Sequence, residues 1–530
     1  MSRIRFTALV LALFVICACA VRAQDSSTPS KPMWPRSITY QGGTIQMYQP
    51  QPESWSNNTV TARSALMVQP NDKKKAPTYG IIEFSASTDV NKDARIVTLS
   101  NFNVVKADFP ASKDSGKKVL AAWRDHTSDK TVLVPLDTLQ AALANSTAKP
   151  AAAGVNVLNP VPNIIVKSTP SMLVRIHGDP SVRPIPGSTL ARIMNTPALL
   201  VQNPASGKLY LYLSTTWVES TGYNGPWTLV AAPDPGLQTA LAASKQKNDA
   251  DLFADAGQGL LQALNSGNLP NIYVATTPTE LVVTSGPVAL KDVPKTALKW
   301  VSNTNSDVFF LPSANTWYVL LSGRWFSTPS FTDGPWSFVA GASLPTEFSK
   351  IPPTFERAAV LVSVPNSPQA REAIIANSIA QTATLQRKNL TFTPAYDQGQ
   401  PNFQPVEGTS LQYAVNSRDP IVKVGPTTFY GLKDGVWFTA INPTSSWTVA
   451  SSVPAVIYTI PPSSPIYYVT YVRLYKATND TVTVGYTPGY YGSVVSTDGT
   501  VVYGTGYTYP TYVGTDYVVY PPYTYGGYTT

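Results

Sequence analysis

Few side chains in this chain of 530 residues can carry out chemistry, and that scarcity limits what it can do. The histidines are His126 and His177, and the cysteines are Cys17 and Cys19. Two histidines do not make a His-rich zinc site, and a Ser-His-Asp triad would have to use one of them. No G-x-S-x-G elbow, G-x-G-x-x-G fingerprint or phosphate-binding P-loop is present. His177, in Ile176-His177-Gly178-Asp179, reads as a solvated turn histidine. Glu219, Asp333 and Asp434 fall in or beside expected turns as caps or solvent-facing groups, not as the carboxylate pair of a glycosidase. The expectation is a non-enzyme with no catalytic residue, metal or cofactor.

Aromatic side chains are abundant: 28 Tyr, 17 Phe and 11 Trp. Eight are candidate ligand-binding residues: Trp217, Trp227, Tyr318, Trp325, Trp336, Tyr430, Trp437 and Trp447. A pyranose presents a face of C–H groups that an exposed indole or phenol ring can cover, while its hydroxyls bond to neighbouring polar groups. The competing reading is that these rings are core, since Trp is highly buried on average. On a strand, Trp325 and Phe326 point to opposite faces. One is then expected inside and the other outside, and the order is left open.

The elements that position these rings repeat. Pro162-Asn163-Ile164-x-Val166-x-x-Thr169-Pro170-x-x-Leu173-Val174 recurs further along as Pro270-Asn271-Ile272-x-Val274-x-x-Thr277-Pro278-x-x-Leu281-Val282. The same offset holds without a gap through Asn195-Thr196 and Asn303-Thr304 to Trp217 and Trp325. After one inserted residue, Gly225-Pro226-Trp227 matches Gly334-Pro335-Trp336. A third copy, at nearly the same spacing beyond the second, supplies Leu411, Asn416-Ser417, Trp437 and Trp447. Each copy predicts strands (164–176 and 272–284 in the first two), then an aromatic hairpin. Ser322-Gly323 and Asp434-Gly435 are the turn residues, since glycine accepts the positive φ of a two-residue turn. The first copy lacks that glycine, which predicts a looser turn. Helical stretches separate the copies, around 139–143, 237–264 and from Ser367-Pro368 onward, with Ile375 and Ile379 one turn apart.

The fold class expected is mainly β with short helices (α+β). Its divisions are a signal peptide at 1–23, an N-terminal β-rich domain at 34–135, repeats at 136–269, 270–366 and 367–454, and a Tyr-rich C-terminal segment at 455–530. The N-terminal domain predicts strands at 38–48, 60–68, 79–87 and 96–105, a helix near 117–125 and a strand at 132–136. The last segment holds 17 of the 28 Tyr and grades into low complexity, which predicts partial disorder.

Arg3, Arg5, the apolar run 8–20 and Val21-Arg22-Ala23 read as a leader cleaved before Gln24. Cleavage lowers the net charge from +8 to +5 and leaves no cysteine, so stability must come from apolar cores. A lipid anchor at Cys19 is the minor alternative. The expected destination is the periplasm, cell surface or exterior. No later run reaches the length of a spanning helix. The basic residues are scattered; Lys73-Lys74-Lys75 and Lys117-Lys118 read as solvated faces, so nucleic acid is not an expected partner.

Trp34-Pro35-Arg36-Ser37-Ile38, Tyr48-Gln49-Pro50-Gln51, the Gly-x-Trp-Phe and Gly-Pro-Trp repeats and the stretch 453–472 resemble exported bacterial proteins labelled carbohydrate-binding family V/XII. That resemblance implies likeness to chitin- and cellulose-binding modules, with a Gly-x-aromatic strand, a turn and a Trp strand. Gly323 to Phe326 with Trp336, and Gly435 to Phe438 with Trp447, follow that order; the first copy departs from it, and each repeat is about twice the length of such a module. The expected function is non-catalytic binding of polysaccharide or cell-wall glycan. The alternative is a structural scaffold whose repeats contact envelope proteins, with a glycoside hydrolase third. An aromatic row on one exposed face would favour glycan binding, buried rings the scaffold, and two carboxylates in a cleft the enzyme.

Overall fold

Alternating inward residues Gly80, Ile82, Phe84, Ala86 and Thr88 make Thr78–Asn91 the spine of a curled antiparallel sheet. Its strand order is Arg36–Tyr40, Gly43–Met47, Thr59–Pro70, Thr78–Asn91, Ile96–Asp108 and Val132–Pro135, and Gln51–Ser56 also pairs with Thr59–Pro70. The helix Lys117–Thr127 closes this half-barrel by placing buried Trp123 against Phe84, with ring centroids 5.7 Å apart. Gln51–Ser56 is not legible in the sequence because Pro52 interrupts it and its ladder slips between Pro52 and Ser54. The computed structural model describes residues 34–520 apart from 113, 137, 138, 141, 144–153, 255–257 and 516. The expected leader, Cys17, Cys19, part of the helix near 139–143 and the tyrosines at 523–528 lie outside the described residues.

Three six-stranded antiparallel sheets follow, each in simple chain order. The first runs from Val182–Pro184 to Thr228–Leu229, the second from Leu290–Asp292 to Ser337–Val339, and the third from Phe403–Pro405 to Thr448–Val449. In the second sheet, Thr316–Leu321 and Arg324–Thr328 form the aromatic hairpin, turning at Ser322 (φ 50°) and Gly323 (φ 79°). The third turns in the same way at Asp434 (φ 49°) and Gly435 (φ 76°). The looser turn expected in the first sheet is not seen. Leu213 pairs with Thr216, so that turn also has two residues, with Ser214 at φ 55°.

One polar residue organises each sheet in the same way. The Asn195 side-chain amide donates to the carbonyls of His177 (2.9 Å) and Asp179 (2.7 Å), and its oxygen accepts from the Ser181 backbone (2.8 Å). Asn303 does this with Ser285, Pro287 and Ala289, and Asn416 with Asp397, Gln400 and Asn402. A side-chain amide carries two N–H donors and an acceptor together, which is what these three backbone groups require.

The strands expected at 164–176 and 272–284 each break at a Thr-Pro pair into two, and the pieces pair across the two copies. Asn163–Lys167 lies parallel to Thr279–Val283, and Asn271–Ala275 lies parallel to Ser171–Arg175. The registers Asn163↔Thr279 and Ser171↔Asn271 are the same pairing read from either side. Across this exchange Arg175 and Glu280 form a buried ion pair at 3.4 Å, with side-chain exposures of 12% and 7%. The third copy does not join. Gln381–Gln386 pairs instead with Thr481–Tyr486, which also pairs with Val472–Ala477. The Tyr396↔Ser417 bridge matches Thr284↔Thr304, so Pro394 stands where the second copy has Val282. Thr284 donates its backbone N–H to Lys167 (2.8 Å), and alternate residues face the same neighbour. Proline has no N–H to donate there.

Between the second and third copies, Ser367 caps Pro368–Asn377 by accepting from Ala370 (2.9 Å). Ile375 is buried, whereas Ile379 lies beyond the helix end at Ser378. The segment 455–471 belongs to the third core, where Ile457, Ile460, Tyr467 and Val469 are buried.

The tyrosine-rich segment, expected to be partly disordered, is packed as far as it is described, and it reaches all three sheets. Leu158 donates to Thr505 (2.8 Å). At the second hairpin turn, buried Arg324 donates to Asn159 (2.8 Å), Tyr503 (2.9 Å) and Gly504 (2.8 Å). A Cβ on Gly323 would stand 2.6 Å from the Val501 carbonyl, so this close approach needs glycine as well as the turn does. At the third sheet, Tyr512 (2.8 Å) and Thr515 (2.6 Å) donate their hydroxyls to Asp397, and Tyr517 donates to Asn416 (3.0 Å). At the first, Arg183 donates to Gly514 and Tyr520 to Met194 (3.2 Å).

Hydrogen bonds from Thr515 and Tyr512 hold the Asp397 carboxyl below its ordinary value of 3.8. A carboxyl whose pKa is depressed on folding contributes stability that is present above the unfolded value and lost as pH falls through the folded one. Cleavage within residues 505–520 by an acid-active protease is therefore expected to accelerate below pH 3.8, ahead of global unfolding. Asp397→Ala should release the same segment at neutral pH, as read by limited proteolysis.

Candidate functional site

The eight aromatic candidates do not share a face. Trp217, Trp325 and Trp437 are 2%, 3% and 0% exposed. Their strand neighbours Val218, Phe326 and Phe438 are buried too. Both faces of each hairpin are thus covered, which corrects the expectation that one of Trp325 and Phe326 would face solvent. One cover was not anticipated. In the second sheet, two short 3-10 turns, Thr346–Lys350 and Ala358–Ser363, bring Phe348 onto Trp325 (4.7 Å) and offer the Ser363 carbonyl to its indole N–H (2.8 Å). Ala455–Thr459 and Tyr467–Tyr471 cover the third sheet, and Trp437 donates to Val472 (3.2 Å). The sequence did carry a sign of this strap, in Ile351-Pro352-Pro353 and Ile460-Pro461-Pro462, one repeat length apart. In the first sheet the helix Pro235–Lys247 takes its place, packing Leu237 and Ala240 with Trp217.

Tyr318 and Tyr430 are buried, edge-on to Phe348 (5.2 Å) and Trp437 (6.4 Å). Trp447 is buried against Phe392 and donates to Pro443 (3.1 Å). Trp227 and Trp336 are half-buried. Among the described residues the most exposed tyrosine is Tyr491, not one of the eight candidates, against Tyr486 and Tyr490 at 5.4 and 5.1 Å.

The chemistry-bearing residues are placed as follows. His177 is not a solvated turn histidine: its ring lies 5.0 Å from that of Tyr520, and burial, then Arg175, lowers its pKa. Glu219 pairs with Lys208 at 2.8 Å, and Asp333 accepts from Ser330 and Thr332. Asp434 is exposed in its turn. Glu280 faces Arg175 and Asp307 faces Arg357 (3.3 Å); burial raises both carboxyls against the pull of their arginines. Among the described residues no three His, Cys, Asp or Glu gather into a metal site, and no helix is long and apolar enough to cross a membrane.

An opening adjoins the second hairpin. A groove of about 340 Å³ at the edge of the second sheet is lined by Tyr318, Ser327, Phe338, Val339, Ala340 and Ser343. Three of its lining residues, Tyr318, Ser327 and Ser343, carry hydroxyls, and no charged residue lines it; the Phe338 ring projects from the other face of the sheet, onto Phe326 at 6.0 Å. The size of the groove falls within the range of small-ligand sites, about 300–1,000 Å³.

The core placement of Trp325 sets an expectation. Trp325→Ala should lower unfolding free energy by about 3–5 kcal/mol in chemical denaturation. Trp325→Phe should cost less, about 1–3 kcal/mol, because the Ser363 carbonyl loses its donor. No family model, curated protein or solved structure matches this chain.

Proposed function

We propose that this chain is an exported, non-catalytic scaffold, built from an N-terminal β-rich domain and three tandem repeats, that presents rigid surfaces to other envelope proteins. The supporting observation is the burial of Trp217, Trp325 and Trp437, with both faces of every hairpin covered. Rings committed to the interior stabilise a body and cannot stack on a sugar. The tail supports the same reading, because it ties the three sheets together instead of leaving them as separate beads. Export rests on the leader-like residues 1–23.

Binding of carbohydrate is the second reading, favoured by the uncharged groove beside Tyr318, Ser327 and Ser343. The two readings separate in a pull-down of purified protein on insoluble chitin, cellulose and peptidoglycan. The scaffold predicts no retention on any polymer above a mock-coated control. Retention of the folded protein on one of them would replace the scaffold with the carbohydrate reading.

A further inference from the structure

Thr481–Tyr486 covers one edge of Gln381–Gln386, and no strand among the described residues covers the other. The Arg387 backbone donates to Asp480 (2.8 Å), and hydrogen-bonded pairs alternate along an antiparallel ladder. Residues 381, 383 and 385 therefore bond to the tail strand, while the backbone groups of Thr382, Thr384 and Gln386 point away from it. Among the described residues nothing bonds to those outward groups. The strand is largely exposed, and it holds neither a charge nor a proline. Other outer strands are guarded. Arg36–Tyr40, Leu290–Asp292 and Val472–Ala477 carry charge, and Gln51–Ser56, Val132–Pro135, Val182–Pro184 and Phe403–Pro405 contain proline. Thr228–Leu229, Ser337–Val339 and Thr448–Val449 are only two or three residues long. Charge, proline and shortness are the ordinary defences of a sheet edge.

We infer that this edge is a self-association site, at which Gln381–Gln386 pairs antiparallel with the same strand of a second copy. A two-fold axis sets one strand against its duplicate. Outward backbone groups must meet outward groups, and the register that engages all three residues places the axis at Thr384. Thr384 then faces Thr384 of the second copy, Thr382 faces its Gln386, and each pair exchanges two backbone hydrogen bonds. Charge favours a second copy as the occupant. Self-pairing brings any charge on the strand close to its own duplicate, and like charges opposed across a ladder destabilise it; this strand has none. Ala383 meets Leu385 of the second copy at a position where side chains lie closest, on the face where Leu385 packs against the third core. The first charge beyond the strand, Arg387, falls opposite Gln381 of the second copy. Its guanidinium is already held by the carbonyls of Val449 (2.6 Å) and Ala450 (3.4 Å). The three-stranded sheet of each chain thus continues into that of the other. Such a dimer stands independently of which functional reading holds.

Sedimentation velocity of the full chain over a concentration series, alongside Thr384→Lys, tests this. The expected result is a monomer–dimer equilibrium. Thr384→Lys should raise its dissociation constant about tenfold or more, since like charges meet at the axis. The melting temperature should hold, because Thr384 is exposed. Cysteine substitution reads the register, with Cys17→Ser and Cys19→Ser removing the natural thiols. Thr384→Cys should give a disulfide-linked dimer under mild oxidation, because opposed Cα atoms of a hydrogen-bonded pair stand about 5.5 Å apart. Thr382→Cys should not link to its own duplicate, roughly 14 Å away, but should link in a mixture with Gln386→Cys. A monomer throughout the series, a dimer indifferent to Thr384→Lys, or linkage by Thr382→Cys alone and not by Thr384→Cys would overturn the assignment. Each of these results leaves the scaffold reading to the polymer pull-down.

Discussion

The reciprocal exchange between the first two copies is the constraint on which the body depends. Asn163–Lys167 and Asn271–Ala275 are too short to be stable alone, and neither pairs within its own copy. Each finds its parallel partner only when the other copy is folded. Parallel strands need a long crossover, and here that crossover is the whole first sheet with its following helices. The Arg175–Glu280 pair sits in this exchange. Removing one partner of a buried ion pair costs about 3–5 kcal/mol, because the remaining charge is left in an apolar setting.

The rest of the molecule follows from having an odd number of copies. Two can satisfy one another; a third cannot. Pro394 removes the donor that pairing would use, and the tail strand Thr481–Tyr486 covers Gln381–Gln386. Edge strands left open invite association with other chains, and proline on an edge is a recognised defence. The remainder of the tail then ties the sheets to one another, at Arg324 in the second, Asp397 in the third and Met194 in the first. A chain exported as proposed, with no cysteine left once its leader is gone, can hold together in an oxidising compartment by these means.

Much of this was legible as repetition and little of it as placement. Periodicity marked the N-terminal strands and the hairpins, and Gly323 and Gly435 marked turns for a local steric reason. Asn195, Asn303 and Asn416 stood out as matches, but their purpose needs three backbone groups that come together only after folding. Which partner a five-residue parallel strand chooses has no local signal, so the exchange was invisible. The ring positions failed to show for a related reason. Alternation reports that Trp325 and Phe326 face opposite ways, yet it carries no information that both faces are covered.

The central claim is that the first two copies form one interlocked unit, and hydrogen exchange read by mass spectrometry on Glu280→Ala tests it most directly. The account predicts that protection falls together in the first sheet, residues 182–229, and in the second, residues 290–339, while residues 36–108 of the half-barrel keep theirs. Loss of protection confined to the second sheet, with the first unchanged, would contradict it.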